Sequence, residues 1–207
     1  LIMVHSDDNG LILPPKIAPR QVAIIPIGVS NRVNEKANEI CDKLTKAGIV
    51  AYVDSTERSP GFKFAEAEVN GIPVRIEIGE RDLNENKITF ARRDTREKLT
   101  ESLDVDVVEY VKSLMATIQK DMFERALKRR EELTYECHDI EEVKKIMDTK
   151  PGFIKAMWCG DEACELKFKE IKGMKSRCIL EGHKHIDDKC IMCGKPAKEL
   201  VVWGIQY

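Results

Sequence analysis

The chain has 207 residues, a formal net charge of −2 and a charged fraction of 34% in which both signs are mixed. That length supports two units with cores of their own, and the charge balance excludes nucleic-acid binding by bulk electrostatics, so any RNA contact must come from a local patch. No apolar run approaches the roughly 20 residues of a membrane span, and seven cysteines, four of them at metal-like spacing, point to a reducing, cytoplasmic setting.

Residues 1–4 are apolar and meet a polar turn at 5–10, and a second short apolar run at 11–13 stops at Pro14-Pro15. Adjacent prolines cannot donate to a sheet ladder, so the pattern predicts that one structural unit ends there. Residues 22–27 form a continuous apolar run, as expected of a strand covered on both faces. Val33, Ala37, Ile40, Cys41, Leu44 and Ala47 then recur at helical spacing, with Gly48 as the C-terminal stop. A strand follows at 49–53. Ser59-Pro60 supplies an N-cap with Pro at the first helical position, and Gly71 closes that helix. Two further strands are predicted at 73–78 and 87–91, joined by a polar turn over 81–86. Alternating strand and helix predicts an α/β sandwich with a mostly parallel sheet.

Residues 103–133 read as one long helix, with Val107, Val111, Leu114, Ile118, Met122 and Leu127 near one stripe. Its second half carries the basic residues Lys120, Arg125, Lys128, Arg129 and Arg130, which suit either a solvated face between two domains or a contact to an RNA backbone. Residues 140–149 form a short amphipathic helix that Pro151-Gly152 breaks.

Cys159 and Cys164 form a C-x4-C pair, and Cys190 and Cys193 a C-x2-C pair followed by Gly194. Zinc favours four thiolates in a tetrahedron, supplied by two short chelating loops from distant segments. All four positions would be filled, so the expected metal is structural. A redox dithiol at Cys190 and Cys193 is the competing reading, disfavoured because it leaves the other pair without a role. Cys41, Cys137 and Cys178 are expected to be small packed side chains, and His183 and His185 surface-loop residues.

The stretch SPGFKFAEAEVNGIPVRIEIGERD at 59–82 mixes aromatic and charged residues across a helix end and the next strand. Single-stranded bases are read by stacking and by hydrogen bonds to their splayed edges. A carboxylate accepts from guanine's N1–H and amino group, and an arginine donates to O6 and N7, so a guanine reader needs both. Taken alone, Glu68 and Arg75 are an ordinary surface ion pair.

HSDDNGLILPP at 5–15, the 59–82 stretch, the cysteine pairs and the terminal Tyr207 together resemble the C-terminal portion of class II prolyl-tRNA synthetases of the archaeal and eukaryotic-like type. The resemblance implies that residues 1–19 are the tail of a catalytic domain and a linker. Residues 20–119 would be a mostly parallel-sheet anticodon-binding α/β domain, and residues 120–207 a small α/β zinc-binding domain. Phe64 would stack on a base, Glu68 and Arg75 would read one anticodon guanine and Asp82 the other, with Lys98 as basic partner, Arg96 beside it, and Arg81 on a phosphate. Tyr207 would reach towards the active site, and His5 and Asp7 would be polar turn residues near it. The parent enzyme, a homodimer, would join proline to proline tRNA with ATP and Mg2+ bound upstream, so this portion alone would be inactive and hold only structural zinc, with no membrane or DNA partner. Two other readings stay open from the residues: a free-standing RNA-binding module, and a structural zinc protein whose α/β unit binds another protein.

Overall fold

The apolar run from Val22 lies within the larger of two main sheets in the computed structural model, which describes residues 1–205. The chain divides into two compact units, Leu1–Glu124 and Arg125–Tyr207. The first opens with a small hairpin, β1 (Ser6–Asp7) and β2 (Gly10–Leu11). There follow β3 (Val22–Ile27), α1 (Asn31–Lys46), β4 (Ala51–Val53), α2 (Pro60–Val69), β5 (Val74–Gly79), α3 (Glu80–Asn84), β6 (Lys87–Arg92) and β7 (Lys98–Ser102). The long helix α4 (Val107–Glu132) continues past the boundary between the units.

The strand order is β4-β3-β5-β6-β7. The sheet is mixed rather than mostly parallel: β4, β3 and β5 are parallel, whereas β6 and β7 are antiparallel to their neighbours. The links from β5 to β6 and from β6 to β7 are too short for a parallel crossover, which takes about a dozen residues or more, so the chain can only turn back. Pro26 is tolerated inside β3 because β4 has already ended beside it. The ladder on that side runs as far as the bond from the Asp54 N–H to the Ile24 carbonyl at 2.9 Å, and the Asp54 carbonyl beyond it is taken by the Lys63 Nζ at 2.8 Å, so it does not depend on an N–H from Pro26.

Side chains alternate across the sheet. Val22, Ile24, Val74, Ile76, Ile78, Ile88 and Phe90 face a core completed by Val33, Ala37, Ile40 and Leu44 of α1 and Val107, Val111, Leu114 and Ile118 of α4. The opposite face carries α2, where Ala67 and Ile72 pack on Ala23 with Tyr52 alongside. The helix starts follow the sequence: the Ser30 hydroxyl accepts from the Val33 N–H at 3.5 Å, and the Ser59 hydroxyl from the Phe62 N–H at 3.4 Å. Gly48 (φ +81°) and Gly71 (φ +68°) take the left-handed backbone at the two helix exits. The turn expected at 81–86 contains α3, β7 lies between the strand expected at 87–91 and the helix expected at 103–133, and the long helix begins at Val107 rather than 103. The Asp106 carboxylate caps it by accepting from the N–H groups of Val108 and Glu109 at 3.1 and 3.2 Å.

The second unit holds β8 (Thr134–Glu136), α5 (Ile140–Thr149), β9 (Phe153–Trp158), α6 (Glu162–Lys169), β10 (Met174–Ile179) and β11 (Glu199–Ile205), with sheet order β10-β11-β9-β8. Its core joins Val143, Met147, Ile154, Ala156, Phe168, Met174, Val201 and Trp203. The Phe168 ring stacks on Trp203 at 3.9 Å between centroids, and Trp158 meets Trp203 edge-on at 6.3 Å. Among the described residues no helix is long and apolar enough to cross a membrane.

Candidate nucleic-acid interface and candidate metal centre

The α2-bearing face of the first sheet becomes polar on its β5–β7 side. Pairing aligns Arg75 of β5 with Ala91 of β6, and Ala91 with Lys98 of β7, so the three form one row across the sheet. Glu77, Thr89 and Thr100 form the next row. Ala91 has no side chain long enough to separate the cations on either side of it.

The Arg75 Nη1 donates to Glu68 Oε1 at 2.9 Å, and its Nε donates to Glu77 Oε1 at 3.0 Å. The Lys98 Nζ donates to Glu77 Oε2 at 2.7 Å. The Arg75 guanidinium carbon sits 4.4 Å from the centroid of the Phe64 ring, and the Lys98 Nζ 5.3 Å from it. Phe64, Glu68, Arg75 and Lys98 therefore meet in one cluster. Phe64 and Glu68 come from adjacent turns of α2, while Arg75 and Lys98 rise from the sheet beneath. Arg75 is nearly buried, whereas Lys98 is half-exposed and Glu68 partly exposed. The arrangement presents hydrogen-bond acceptors, donors and a guanidinium–aromatic stack side by side, the set that an unpaired base requires.

Asp82 stands outside the cluster. It is the third residue of α3, at the carboxyl end of β5, and its Oδ2 accepts from the Gly79 N–H at 2.8 Å. Arg81 is almost fully exposed and donates through Nε to Glu85 at 2.7 Å. Glu77 was not picked out from the sequence, where a Glu inside RIEI looks like a solvent-facing strand residue; its two partners appear only once the sheet is formed.

The hairpin locks onto the back of α2. Arg93, buried, donates to both Asp7 carboxylate oxygens (3.1 and 2.6 Å), to the Gly10 carbonyl (3.2 Å) and to the carbonyl of Glu68 (3.0 Å). Arg96 adds a bond to Asp7 at 3.0 Å, so Arg96 is engaged at the hairpin. Asp7 is thus more than a turn residue: the Arg93 hydrogen bonds hold its carboxyl well below the usual carboxylate range. A methyl group on Gly10 would overlap Val69 Cα, and one on Gly71 would lie 2.5 Å from Leu11 Cβ, so the two segments approach backbone to backbone.

In the second unit, Cys159 follows β9, Cys164 lies in α6, and Cys190 and Cys193 sit on a tight turn before β11. Gly194 (φ +69°) allows that turn, and its N–H donates to the Cys190 carbonyl at 2.9 Å. The four sulfurs all lie within 4.8 Å of one another, with Cys159 at 3.7 Å from both Cys164 and Cys193. A tetrahedron with metal–sulfur arms of about 2.3 Å has edges of about 3.8 Å, so the spacing fits a four-thiolate centre. Burial raises the Cys164 and Cys190 thiols, while the backbone N–H of Lys195 lowers Cys193 to about 7. These four residues could hold a metal ion.

The remaining candidates divide. Cys137 is buried and Cys41 packs against the first core, but Cys178 is exposed. It lies on the edge strand β10, where Met174 alone is buried, so it is not the packed side chain expected. His183 and His185 are exposed. Lys120 and Lys128 face Glu124 and Glu132 one turn on, which offsets part of the basic charge of α4. Tyr207 lies outside the described residues.

Two family models match the chain: an anticodon binding domain over residues 21–114, and the C-terminal domain of prolyl-tRNA synthetase over residues 140–207. The chain is 49% identical over 208 residues to a proline–tRNA ligase of Clostridium novyi (strain NT), covering 100% of this chain and 43% of that protein. It is 50% identical over 209 residues to one from Agathobacter rectalis and 46% identical over 208 to proline–tRNA ligase 2 of Bacillus thuringiensis subsp. konkukian, with the same coverage. The chain thus spans less than half the length of these curated relatives. With an anticodon-binding domain followed by the family's own C-terminal domain, the chain belongs to the prolyl-tRNA synthetase family, as its C-terminal portion.

Proposed function

We propose that the first unit reads the anticodon of proline tRNA, as part of a dimeric, cytoplasmic enzyme that attaches proline to that tRNA using ATP. The observation that carries this reading is the Phe64–Glu68–Arg75–Lys98 cluster on a half-open sheet face. The Glu68 carboxylate would accept from N1–H and the amino group of one guanine. The Arg75 Nη1, now directed at Glu68, would remain beside it to donate to the base. The guanidinium already lying on Phe64 makes a flat platform for that base, since bases stack on arginine planes as well as on rings. Asp82, at the end of β5, would meet the second guanine, and Arg81 a phosphate. The reading region would be residues 20–119, entered through the 1–19 segment, with 120–207 as the metal-bearing domain.

We assign zinc to the four cysteines. The sulfur spacing and the closed set of four ligands suit a structural ion with no open position. Zinc would supply cross-linking of the turn, α6 and the end of β9, and no chemistry on a substrate.

The test is binding of the chain to proline tRNA transcripts at fixed salt, with each anticodon guanine replaced in turn by adenine. Direct readout is expected to lose about 1–3 kcal/mol at a read position, and Glu68→Gln to shrink the difference at one of them. Equal, weak and salt-steep binding to every transcript would refute the reading.

A further inference from the structure

The four charged side chains of the cluster are not equivalent. Of the two carboxylates, Glu68 reaches solvent with 28% of its side chain exposed, whereas Glu77 is sealed beneath it at 8%. Both Glu77 oxygens are committed to cations. Oε1 takes Arg75 through Nε at 3.0 Å and Nη2 at 2.9 Å, and Oε2 takes the Lys98 Nζ at 2.7 Å. Arg75 keeps Nη1 for Glu68 and for the Phe64 carbonyl, at 2.9 and 3.4 Å.

Glu68 already holds the Arg75 Nη1 through Oε1, and a guanine can use the carboxylate only if cations do not close off the rest of it. One positive charge, Arg75, touches it and a second, Lys98, lies over the same Phe64 ring as Arg75, in surroundings that screen them less than bulk water does. Without a second negative charge, both would turn to the one carboxylate left, which would then be a closed ion pair. We infer that Glu77 is a specificity-determining residue: a buried counter-ion that takes the Nε and Nη2 of Arg75 and the ammonium of Lys98, so that Arg75 reaches Glu68 through Nη1 only and Glu68 can still accept from the N1–H and amino group of a guanine. The inference rests on the guanine-reading proposal for this cluster. Glu77 acts through its neighbours; it is too deeply buried to meet the base itself.

The consequence has an unusual sign. Glu77→Gln removes a negative charge from beneath an RNA-binding face, so binding to RNA in general should hold or tighten while discrimination falls. A residue that merely supported the fold would weaken both. Arginine and lysine alone still favour guanine over adenine through O6 and N7, so the probe must report the carboxylate alone. Inosine does this, because it lacks only the amino group of guanine.

The experiment measures binding of the 207-residue chain to an anticodon stem-loop RNA carrying two guanines, and to versions with inosine at each position, across a salt series. The wild type is expected to lose about tenfold or more at one position, the scale of a hydrogen bond to a charged acceptor. In Glu77→Gln that penalty should shrink to within about threefold, with guanine RNA bound at least as tightly. The plot of log K against log salt should steepen by about 0.7, one added phosphate contact on a single strand. Glu77→Asp, which keeps the charge, should keep the wild-type slope and penalty. A full penalty in Glu77→Gln would overturn the inference. So would weaker binding to every RNA accompanied by a lowered melting temperature, or Glu77→Asp failing as completely as Glu77→Gln. An absent penalty in the wild type would overturn the guanine reading itself, and this inference with it.

Discussion

Replacing Gly71 by alanine tests whether the entry hairpin is held to α2 by backbone packing. Gly71 has φ +68°, and a methyl group there would lie 2.5 Å from Leu11 Cβ and 2.9 Å from Leu11 C. The left-handed backbone alone costs a residue with a Cβ about 1–2 kcal/mol. Forcing an atom into a filled space adds about 1–3 kcal/mol. Gly71→Ala should therefore destabilise the first unit by about 2–5 kcal/mol, a large share of the roughly 5–15 kcal/mol typical of a domain. Gly48→Ala is the matched control, because Gly48 also exits a helix with positive φ (+81°) but has nothing within 4 Å of the added methyl. It should cost only the backbone share, about 1–2 kcal/mol. The assay is urea unfolding followed by far-UV circular dichroism, with hydrogen exchange at the Leu13 N–H that donates to the Gly71 carbonyl. Tryptophan fluorescence gives an internal reference, since both tryptophans, Trp158 and Trp203, belong to the second unit. Equal destabilisation by the two substitutions would show that the hairpin yields freely and would sink the packing argument.

Asp7→Asn should cost about 1–2 kcal/mol at neutral pH, because the buried Arg93 loses its counter-charge while Asp7 itself remains partly exposed. Since the folded Asp7 is held below the unfolded carboxylate value of about 3.9, its stabilisation is full above that value and fades as pH falls below it. The wild type should therefore show a steeper acid loss than Asp7→Asn, measured by melts between neutral pH and pH 3; parallel curves would refute the pairing. Cys190→Ser should lower bound zinc per chain, measured by elemental analysis. It should also lower the melting transition seen by Trp203 fluorescence, since a structural zinc contributes folding free energy directly. Retention of both would count against a four-cysteine centre.

Much of this was legible in the sequence where local chemistry decides structure. Ser59 and the glycines at 48 and 71 mark helix ends through their own hydrogen bonds and φ angles, and residues 140–149 form the expected helix. The cysteine pairs announce themselves because metal geometry restricts their spacing. The sequence was silent where partners come from far along the chain. The strand β7 reads KLTES, a polar edge segment with one apolar residue, and only pairing with β6 orders it. The sheet is mixed because β6 returns antiparallel to β5 and β7 then returns antiparallel to β6. Glu77 is conspicuous only after Arg75 and Lys98 are brought to either side of Ala91. Asp7 likewise becomes more than a turn residue only when Arg93 arrives from 86 positions away.

The placement of the cysteines has a topological consequence for the second unit. Cys159 directly follows β9 and Cys190 and Cys193 precede β11, and these two strands are hydrogen-bonded neighbours. A metal ion held by the four sulfurs closes residues 165–189 into a ring that contains all of β10 and the exposed stretch 181–185. A protease that nicks the chain in that stretch would leave two fragments still joined through sulfur–metal bonds. The same nick after chelation would leave them joined only by sheet hydrogen bonds and packing, so mild denaturant would part them. The metal centre would in this respect be a reversible crosslink, read by whether a nicked chain migrates as one species or two.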